Sequence, residues 1–507
     1  MTIIKRAFEK YKSIPLPIKA SFWYLVCSFL QKGISFITTP IFARLLTTSE
    51  YGRFSVFNSW LSIATVIITL HISSGVYMQG IVKNPEKKNE FTSCLQGLTL
   101  VLVSIWTAIY FVFRDFWNNV LELNTIQVLF LLILVWTSSV YGFWASEQRV
   151  NYRYLPLVLI TLIVVLAKPI LGIILVVNLD ERVTARIMGL VIVEFACFSW
   201  MFFYHLFKGK RFFSKDIWLF VLGFSLPLIP HYLSQTILNS SDRIMIERMT
   251  SSSEAGIYSL AYSISTIMTL FNTALVQTLT PWLYKKIKNN RIGEIKKPVY
   301  IALLFVSLVN LCLILLAPEV VYIFGSSKYS DAIWIVPSVA MSVYFSFMYN
   351  VFAAFEFYFK KPFFIAAASV TGAVLNILLN FIFIPIFGYY AAGYTTLFCF
   401  MVYAGLHYLF MIITCKKHLN TTKIYNLKVL SLITFSFLIL GFAFLLTYFN
   451  RIVRYIVVGI LLLLFVVFFK KIVRLFKIVF TLKKSDQEQI TVEDSSDANC
   501  SKVSGND

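Results

Sequence analysis

Charged side chains are scarce in this chain. Asp, Glu, Lys and Arg together make up 14% of its 507 residues, whereas soluble domains carry roughly a quarter. The sequence has no glycine-rich phosphate loop ending in Gly-Lys-Ser or Gly-Lys-Thr, no HExxH or GxSxG motif, and no CxxC pair among its seven scattered cysteines. These absences argue against an ATPase with its own phosphate loop, a zinc enzyme, a serine hydrolase and a disulfide scaffold. We therefore expect neither catalysis nor a cofactor.

Hydrophobic residues dominate instead, at 58% of the chain with a mean hydropathy of +0.77. Apolar runs of about 20 residues, enough to cross a bilayer core of about 30 Å, recur along almost the whole length. They predict an all-α integral membrane protein with about fourteen transmembrane helices. We place the spans near 20–43, 54–76, 94–113, 125–146, 156–178, 186–207, 217–240, 255–280, 299–324, 332–356, 363–385, 388–414, 429–449 and 453–476.

Lysine and arginine are distributed unevenly among the predicted connections. With the N-terminus inside, the inner segments hold 33 of them and the outer connections 10. This asymmetry follows the positive-inside rule and predicts that both termini are cytoplasmic. The net charge of +21 then reflects topology, with anionic membrane lipid as its partner and no need for nucleic acid.

The two ends differ from the spans in composition. Residues 1–19 form a basic cytoplasmic segment without the features of a cleavable signal peptide. Residues 485–507 are acidic and lack aromatic side chains, which predicts a disordered cytoplasmic tail.

Ten residues near the start, Thr47–Val56, are nearly repeated at Ser251–Leu260, 204 positions later. Both copies fall on predicted outer connections with six spans between them, so the two halves are predicted to run parallel. This gives six-helix bundles at 20–207 and 217–414 and an appended helix pair at 429–476. We expect the repeated Ser, Glu and Gly residues to shape helix ends rather than to contact a substrate.

Three charged residues lie at membrane depth, where polar groups are costly and usually face the bundle interior. Lys32 lies in the first span, Lys168 precedes Pro169 in the fifth, and Glu194 lies in the sixth. We interpret both lysines as cations that line a central path, although snorkelling to an interface would also explain them. Glu194 can pair with either lysine and is a candidate for ion coupling or gating, the alternative being a purely structural ion pair.

Further candidates lie at the predicted outer ends of spans. Arg44 closes the first span, and Asp242 and Arg243 close the seventh. They either anchor the interface, with a local Asp242–Arg243 pair, or border the mouth of the path, where the cations would attract a phosphate. Asp242 is also a candidate for ion coupling or gating. His231 follows two prolines that should break the seventh helix, so it either lines a cavity or is a structural residue. Like Glu194, His231 is a candidate for ion coupling or gating. His71 in the second span and His407 in the twelfth are weaker candidates.

Several short motifs resemble the oligosaccharide flippases, the Wzx-like branch of the multidrug/oligosaccharidyl-lipid/polysaccharide exporter superfamily. The resemblance extends over residues 15–480. It rests on Gln31–Phe36, Pro40–Leu46, Ser49–Gly52, Pro227, Pro230, Asp242–Ile246, Ala255–Ser259 and Pro281–Tyr284.

The resemblance implies a flippase that moves undecaprenyl-diphosphate-linked oligosaccharide units across the bacterial cytoplasmic membrane by alternating access. Such units supply O-antigen, and hence lipopolysaccharide, or capsule or exopolysaccharide. Lys32 would then sit where a diphosphate-binding cation is expected, with Arg44, Lys168 and Arg243 as further substrate-binding residues. A polysaccharide polymerase and a chain-length regulator are the protein partners that this implies, and spans 13 and 14 would form a groove for the lipid tail.

Three other classes of protein are alternatives. A drug/cation antiporter of the same fold is the main one, although carboxylates at membrane depth are few here. A major-facilitator protein is disfavoured because the connection at 82–88 lacks the expected Gly/Asp/Arg pattern. A polysaccharide polymerase or ligase is disfavoured because no large outer loop is present.

Overall fold

The chain is described by a computed structural model over residues 15–83, 85–463 and 466–467. Within these ranges it is helical almost throughout, and no strand occurs. The α-helices of the described residues, numbered in chain order, are α1 Leu16–Leu45, α2 Thr48–Thr69, α3 Gly75–Lys83, α4 Lys88–Val112, α5 Arg114–Leu121, α6 Thr125–Val150, α7 Tyr154–Asn178, α8 Arg182–Gly209, α9 Lys215–Ser225, α10 Ile229–Met249, α11 Ser252–Thr266, α12 Thr269–Lys288, α13 Lys296–Leu315, α14 Ala317–Gly325, α15 Val336–Tyr358, α16 Pro362–Phe387, α17 Tyr390–Leu419 and α18 Leu427–Leu446.

Twelve helical segments among the described residues are long and apolar enough to cross a membrane. They confirm the prediction of an all-α integral membrane protein. The predicted spans near 54–76 and 453–476 are not among the twelve. The first corresponds to α2, which carries Glu50 and Arg53 in its first turns and ends at Thr69. The second is helical over 451–463; most of its remainder, like residues 1–14 and the predicted tail at 485–507, lies outside the described residues.

Proline and glycine determine where several helices break. A short 3-10 turn at Leu226–Leu228, which contains Pro227, separates α9 from α10, and Pro230 lies in the first turn of α10. This confirms the break predicted in the seventh span. The predicted span 299–324 is wrong as one helix: α13 ends at Leu315 and α14 begins at Ala317, with Pro318 in its first turn, where proline is tolerated. Gly388 separates α16 from α17 with a φ of +70°, which glycine adopts without steric cost.

Helix α10 is longer than the sequence predicts. It continues to Met249, nine residues beyond the predicted end of the seventh span. Asp242 and Arg243 therefore lie inside the last turns of a helix, with their backbone amides hydrogen-bonded along it, and do not close it as predicted. The extension follows from the absence of any proline or glycine between residues 231 and 249.

The chain divides into two compact units. The first comprises the described residues up to Ile264 together with Val321–Ala332 and Ser369–Thr395. Its main helix pairs are α7 with α8, α10 with α2, α6 with α8, and α1 with α7. The predicted division into two six-helix repeats and an appended pair concerns internal symmetry, and it stays a prediction.

The second unit comprises Ser265–Val320, Ile333–Ala368 and the described residues from Thr396 onward. Helix α15 is at its centre and packs against α12, α13 and α18. Most of the α15 side chains are buried, including Tyr344, Phe347 and Phe355. A helix that is apolar and buried on nearly all sides belongs to the interior of a bundle.

Candidate functional site

The repeated segment forms the N-terminal caps of two helices, as predicted. In the first copy, the Thr47 hydroxyl accepts a hydrogen bond from the Glu50 amide at 3.2 Å, and the Glu50 carboxylate accepts one from the Thr47 amide at 2.7 Å. In the second copy, the Ser251 hydroxyl accepts from the Glu254 amide at 3.2 Å. Each pattern satisfies backbone amides that a helix start leaves without partners.

The two copies also contact each other within the first unit. Hydroxyl oxygens of Thr48 and Ser253 are 2.6 Å apart. A Cβ placed on Gly52 would lie 1.9 Å from the carbonyl oxygen of Ser252, and one on Gly256 would lie 2.0 Å from that of Thr48. The starts of α2 and α11 therefore cross at backbone contact, which only glycine at both positions permits.

A cavity of about 260 Å³ lies among α1, α2, α7 and α8. Lys168 and Arg186 supply its cationic side chains. Three polar residues of α1, Gln31, Ser35 and Thr38, lie at helical spacing on one face and complete the polar part of the lining. Aromatic and aliphatic side chains form the rest.

Lys168 and Glu194 form an ion pair between α7 and α8. The Lys168 Nζ lies 2.5 Å from one carboxylate oxygen of Glu194, and the Thr137 hydroxyl donates to the other at 2.9 Å. The Glu194 side chain is 11% exposed and that of Lys168 26%. The predicted pairing of Glu194 with a lysine is thus present, and the lysine is Lys168. Whether the pair couples an ion or is structural stays a prediction.

Arg186 is a residue that the sequence did not single out. Its guanidinium carbon lies 3.5 Å from the centre of the Phe54 ring and 3.9 Å from that of Phe42. It makes no hydrogen bond or ion pair with the described residues, and its Nη1 is buried without a partner. No motif marks Arg186 in the sequence, because its aromatic neighbours come from other helices more than 130 residues earlier.

The other predicted cations lie outside this cavity. Lys32 is adjacent in sequence to the lining residue Gln31 but is not itself part of the lining. Arg44 donates a 2.8 Å hydrogen bond to the backbone carbonyl of Ile323, where it caps the C-terminal end of α14. Arg243 donates to the carbonyl of Asn239 at 2.9 Å, and its guanidinium lies 4.2 Å from the centre of the Tyr262 ring.

Asp242 is the best-buried carboxylate among the predicted site residues, at 1% exposure. Tyr258 donates to one of its oxygens at 2.5 Å, and the Asn380 amide donates to the other at 2.7 Å. The Asn380 amide also approaches the Asn376 side-chain oxygen, which accepts from Ser241 at 3.0 Å. Asp242 therefore belongs to a buried network of carboxylate, amide and hydroxyl oxygens.

His231 and His407 have polar partners. The His231 Nδ1 is 2.9 Å from the Ser369 hydroxyl. In the second unit, the His407 Nδ1 is 2.8 Å from a carboxylate oxygen of Glu356, with side-chain exposures of 1% and 0%. The remaining oxygen of Glu356 and the His407 Nε2 are buried without hydrogen-bond partners in the described part of the chain.

A second Glu–His pair occupies the first unit. The His205 Nε2 lies 3.2 Å from Glu147, and Lys88 lies 3.3 Å from the other oxygen of that glutamate. Glu147 lies in the last turn of α6 and Glu356 in the last turn of α15. Each histidine lies two helices later in the chain, in α8 and α17 respectively. The sequence spacings between the two glutamates and between the two histidines, 209 and 202, are close to the 204 of the repeated segment.

A larger cavity of about 460 Å³ lies beside the repeated segment in the first unit. Three glutamates and one arginine provide most of its charge: Glu122, Glu181, Glu247 and Arg53. Among the described residues, no group of three or more His, Cys, Asp or Glu side chains is arranged to hold a metal ion.

Comparison with known sequences gives one family and two curated relatives. The family described as "Polysaccharide biosynthesis protein" matches residues 18–287. "Lsg locus putative protein 1" of Haemophilus influenzae is 21% identical over 389 residues, covering 71% of this chain and 89% of that protein. An "Uncharacterized membrane protein" of the same species is 20% identical over 370 residues, with 71% and 88% coverage.

Solved structures share the fold. The lipid II flippase MurJ in an inward closed conformation aligns with a TM-score of 0.64 at 15% identity, covering 91% of this chain and 98% of that one. An inward-facing multidrug resistance MATE family transporter of the MOP superfamily aligns with a TM-score of 0.59 at 13% identity, covering 77% and 96%. At these identities the likeness concerns the fold alone.

Proposed function

Because the chain belongs to the polysaccharide biosynthesis protein family, we propose that it is a flippase for polyprenyl-diphosphate-linked oligosaccharides. It moves these units from the inner to the outer face of the bacterial cytoplasmic membrane, with both termini cytoplasmic. The observation that carries the proposal is the family match together with cations at membrane depth. A diphosphate cannot cross an apolar core of about 30 Å without compensating charge.

Four cations are proposed to guide the head group. Lys168 reaches the cavity among α1, α2, α7 and α8. We propose that Lys32, on α1, also lines the central path by which the head group crosses the membrane. Arg44 and Arg243 are proposed to attract phosphate at the outer mouth of that path. Since the guanidinium groups of Arg44 and Arg243 already donate to backbone carbonyls, their contribution at the mouth is long-range attraction rather than bidentate binding.

The contact between the repeated segments supports alternating access. The unequal distribution of Lys and Arg predicts that both segments lie on the outer side. Gly52 and Gly256 bring two helix starts into backbone contact there. Opening the path to the outside requires this contact to separate. The larger cavity beside it offers carboxylate and amide groups, which are the groups that hydrogen-bond sugar hydroxyls.

Coupling to an ion is proposed at the buried carboxylates. Asp242 is buried and accepts hydrogen bonds from Tyr258 and Asn380. Because a buried carboxylate is costly to keep charged, it is proposed to bind a proton or a monovalent cation during transport. Glu194 already has Lys168 as a partner, and His231 has Ser369. We propose these two as gating residues rather than as the primary ion site. A polysaccharide polymerase and a chain-length regulator are the proposed protein partners.

A cell lacking this chain tests the proposal. Loss of the flippase should abolish the surface polysaccharide, whether O-antigen, capsule or exopolysaccharide, while its lipid-linked repeat unit accumulates on the inner leaflet. Complementation with the intact chain should reverse both effects. Normal surface polysaccharide in the deletion strain, with no accumulation, would refute the proposed function.

A drug/cation antiporter is the second candidate, because the MATE transporter shares the fold. Ethidium efflux measured in the same two strains separates the candidates. An antiporter predicts slower efflux in the deletion strain with unchanged surface polysaccharide. A flippase predicts unchanged ethidium efflux and loss of the surface polysaccharide in the deletion strain.

A further inference from the structure

We propose that the cavity of about 260 Å³ among α1, α2, α7 and α8 is a binding site for a phosphate or diphosphate group, with Arg186 as its principal ligand. The group belongs either to the lipid-linked substrate, in which case the inference rests on the proposed function, or to a membrane phospholipid.

Arg186 is the only cation of this lining that has no partner among the described residues. Lys168 is compensated by Glu194 at 2.5 Å. The Arg186 guanidinium, by contrast, makes no hydrogen bond or ion pair with the described residues, although it can donate five. A desolvated cation without a counter-ion is costly, and an anion that enters the cavity supplies the missing partner.

The aromatic rings fix the orientation of the guanidinium but do not use its donors. Phe54 and Phe42 contact it at 3.5 and 3.9 Å, and Tyr51 lies 5.4 Å away. Stacking on ring faces compensates part of the positive charge. It leaves the N–H groups in the plane of the guanidinium, which is the geometry that binds phosphate oxygens bidentately.

Additional donors face the same space. Gln31 and Ser35 line the cavity, and neither side chain donates a hydrogen bond to the described residues. Thr38, one turn further along the same face of α1, directs its hydroxyl to the carbonyl of Ser35 at 3.2 Å. An amide and a hydroxyl beside a guanidinium form a donor set for an oxyanion.

Charge and size narrow the ligand class. With Lys168 paired, the lining carries one uncompensated positive charge, from Arg186, which excludes a cationic ligand. Pockets for drug-sized ligands are about 300–1,000 Å³, so this cavity fits a phosphate or diphosphate group rather than a whole oligosaccharide. The sugar and lipid parts of a substrate would extend out of it.

Binding to the purified full-length protein in detergent tests the site, with inorganic pyrophosphate and farnesyl diphosphate as probes. The Arg186→Gln variant should bind both about 10- to 100-fold more weakly than the wild type, because it loses charge-assisted hydrogen bonds. Arg186→Lys should recover part of the affinity, since the ammonium restores the charge but not the planar fork. Arg182→Gln removes a cation one turn earlier on the same helix, outside the cavity, and should leave the affinity unchanged.

A phospholipid arm identifies the source of the phosphate. If phosphatidylglycerol in nanodiscs displaces farnesyl diphosphate from the wild type, the site holds a membrane lipid, and the proposed phosphate chemistry stands. If Arg186→Gln loses diphosphate binding and the deletion strain shows no polysaccharide defect, the site stands and the flippase function fails. If the folded Arg186→Gln variant binds both diphosphates as tightly as the wild type does, the proposed site is refuted.

Thermal stability distinguishes a ligand site from a structural arginine. Arg186→Met replaces an uncompensated cation with an apolar side chain, so its melting temperature without ligand should equal or exceed that of the wild type. The thermal shift produced by pyrophosphate should disappear. A lower melting temperature together with an unchanged pyrophosphate shift would show that Arg186 is structural and would overturn the proposal.

Discussion

Gly52 and Gly256 lie in backbone contact where the two copies of the repeated segment cross. A Cβ on Gly52 would come within 2.8 Å of the Gly256 amide nitrogen, and one on Gly256 within 3.1 Å of the Gly52 amide nitrogen. The two residues are 204 positions apart in sequence, and each occupies the same place in its copy. The repeat therefore encodes a mutual contact as well as two helix caps.

Gly52→Ala should destabilise the protein. The new methyl group would lie 1.9 Å from a backbone oxygen, so α2 and α11 must separate at a cost of about 1–3 kcal/mol. The melting temperature in detergent should fall. Gly223→Ala is the matched control, because no atom lies within 4 Å of a Cβ at that helical glycine. Equal melting temperatures for the two variants would contradict the contact.

Cross-linking the same corner should stop transport. The Thr48 and Ser253 hydroxyl oxygens are 2.6 Å apart, so cysteines at both positions, in a background without the native cysteines, lie within reach of a disulfide. Oxidation of Thr48→Cys/Ser253→Cys should block translocation, and a reductant should restore it. Each single cysteine variant should transport normally under oxidation. Full transport by the cross-linked protein would show that this corner does not open.

The Lys168–Glu194 pair should show energetic coupling. Removing one partner leaves a largely buried charge uncompensated, so Glu194→Gln and Lys168→Met should each destabilise the protein by about 1–3 kcal/mol. The double variant Lys168→Met/Glu194→Gln should be less destabilised than the sum of the two. Strict additivity in a double-mutant cycle of unfolding would indicate that the two side chains do not interact.

The two Glu–His pairs should respond differently to loss of the histidine. His407→Leu leaves the fully buried Glu356 without a hydrogen-bond partner among the described residues, which costs about 3–5 kcal/mol. His205→Leu leaves Glu147 with Lys88 at 3.3 Å and should cost less. Thermal unfolding of both variants measures whether His407→Leu is the more destabilising of the two. Adding Glu356→Leu to His407→Leu should restore part of the stability, and a further fall would contradict the pairing.

Asp242→Asn tests the proposed ion coupling. The substitution keeps the size of the side chain but removes its charge, so transport should lose its dependence on an ion gradient while diphosphate binding is retained. Proteoliposomes with and without an imposed proton or sodium gradient provide the measurement. Asp216→Asn, at an exposed helix start, serves as the control. Gradient-driven transport at the wild-type rate would remove Asp242 from the coupling step.

The sequence predicts features that depend on local composition. Apolar runs locate the membrane helices, and Pro227 and Pro230 locate the break between α9 and α10. It fails where the outcome depends on distant neighbours. The Arg44 guanidinium caps the C-terminal end of α14, 279 residues later in the chain, and local composition gives no sign of that contact. The position of Arg186 among aromatic rings cannot be read from its own segment, because those rings belong to α1 and α2.

The sequence also predicts the end of a helix wrongly where buried polar residues look like a connection. Asp242 was predicted at the end of a span because the polar residues of 239–243 resemble a connection. In the structure Ser241 and Asp242 are hydrogen-bonded to polar side chains of α11 and α16. A buried polar network cannot be distinguished from a loop by composition alone, since both are polar and only the first has its hydrogen bonds satisfied within the protein.

Translocation in a reconstituted system tests the central claim most directly. Proteoliposomes containing the purified chain and a fluorescent undecaprenyl-diphosphate-linked repeat unit from the host would be assayed for exposure of that lipid on the opposite leaflet. We expect exposure that depends on the protein and is lost on cross-linking Thr48→Cys/Ser253→Cys. Exposure no faster than in protein-free liposomes, with the host's own repeat unit supplied and the protein folded, would contradict the account.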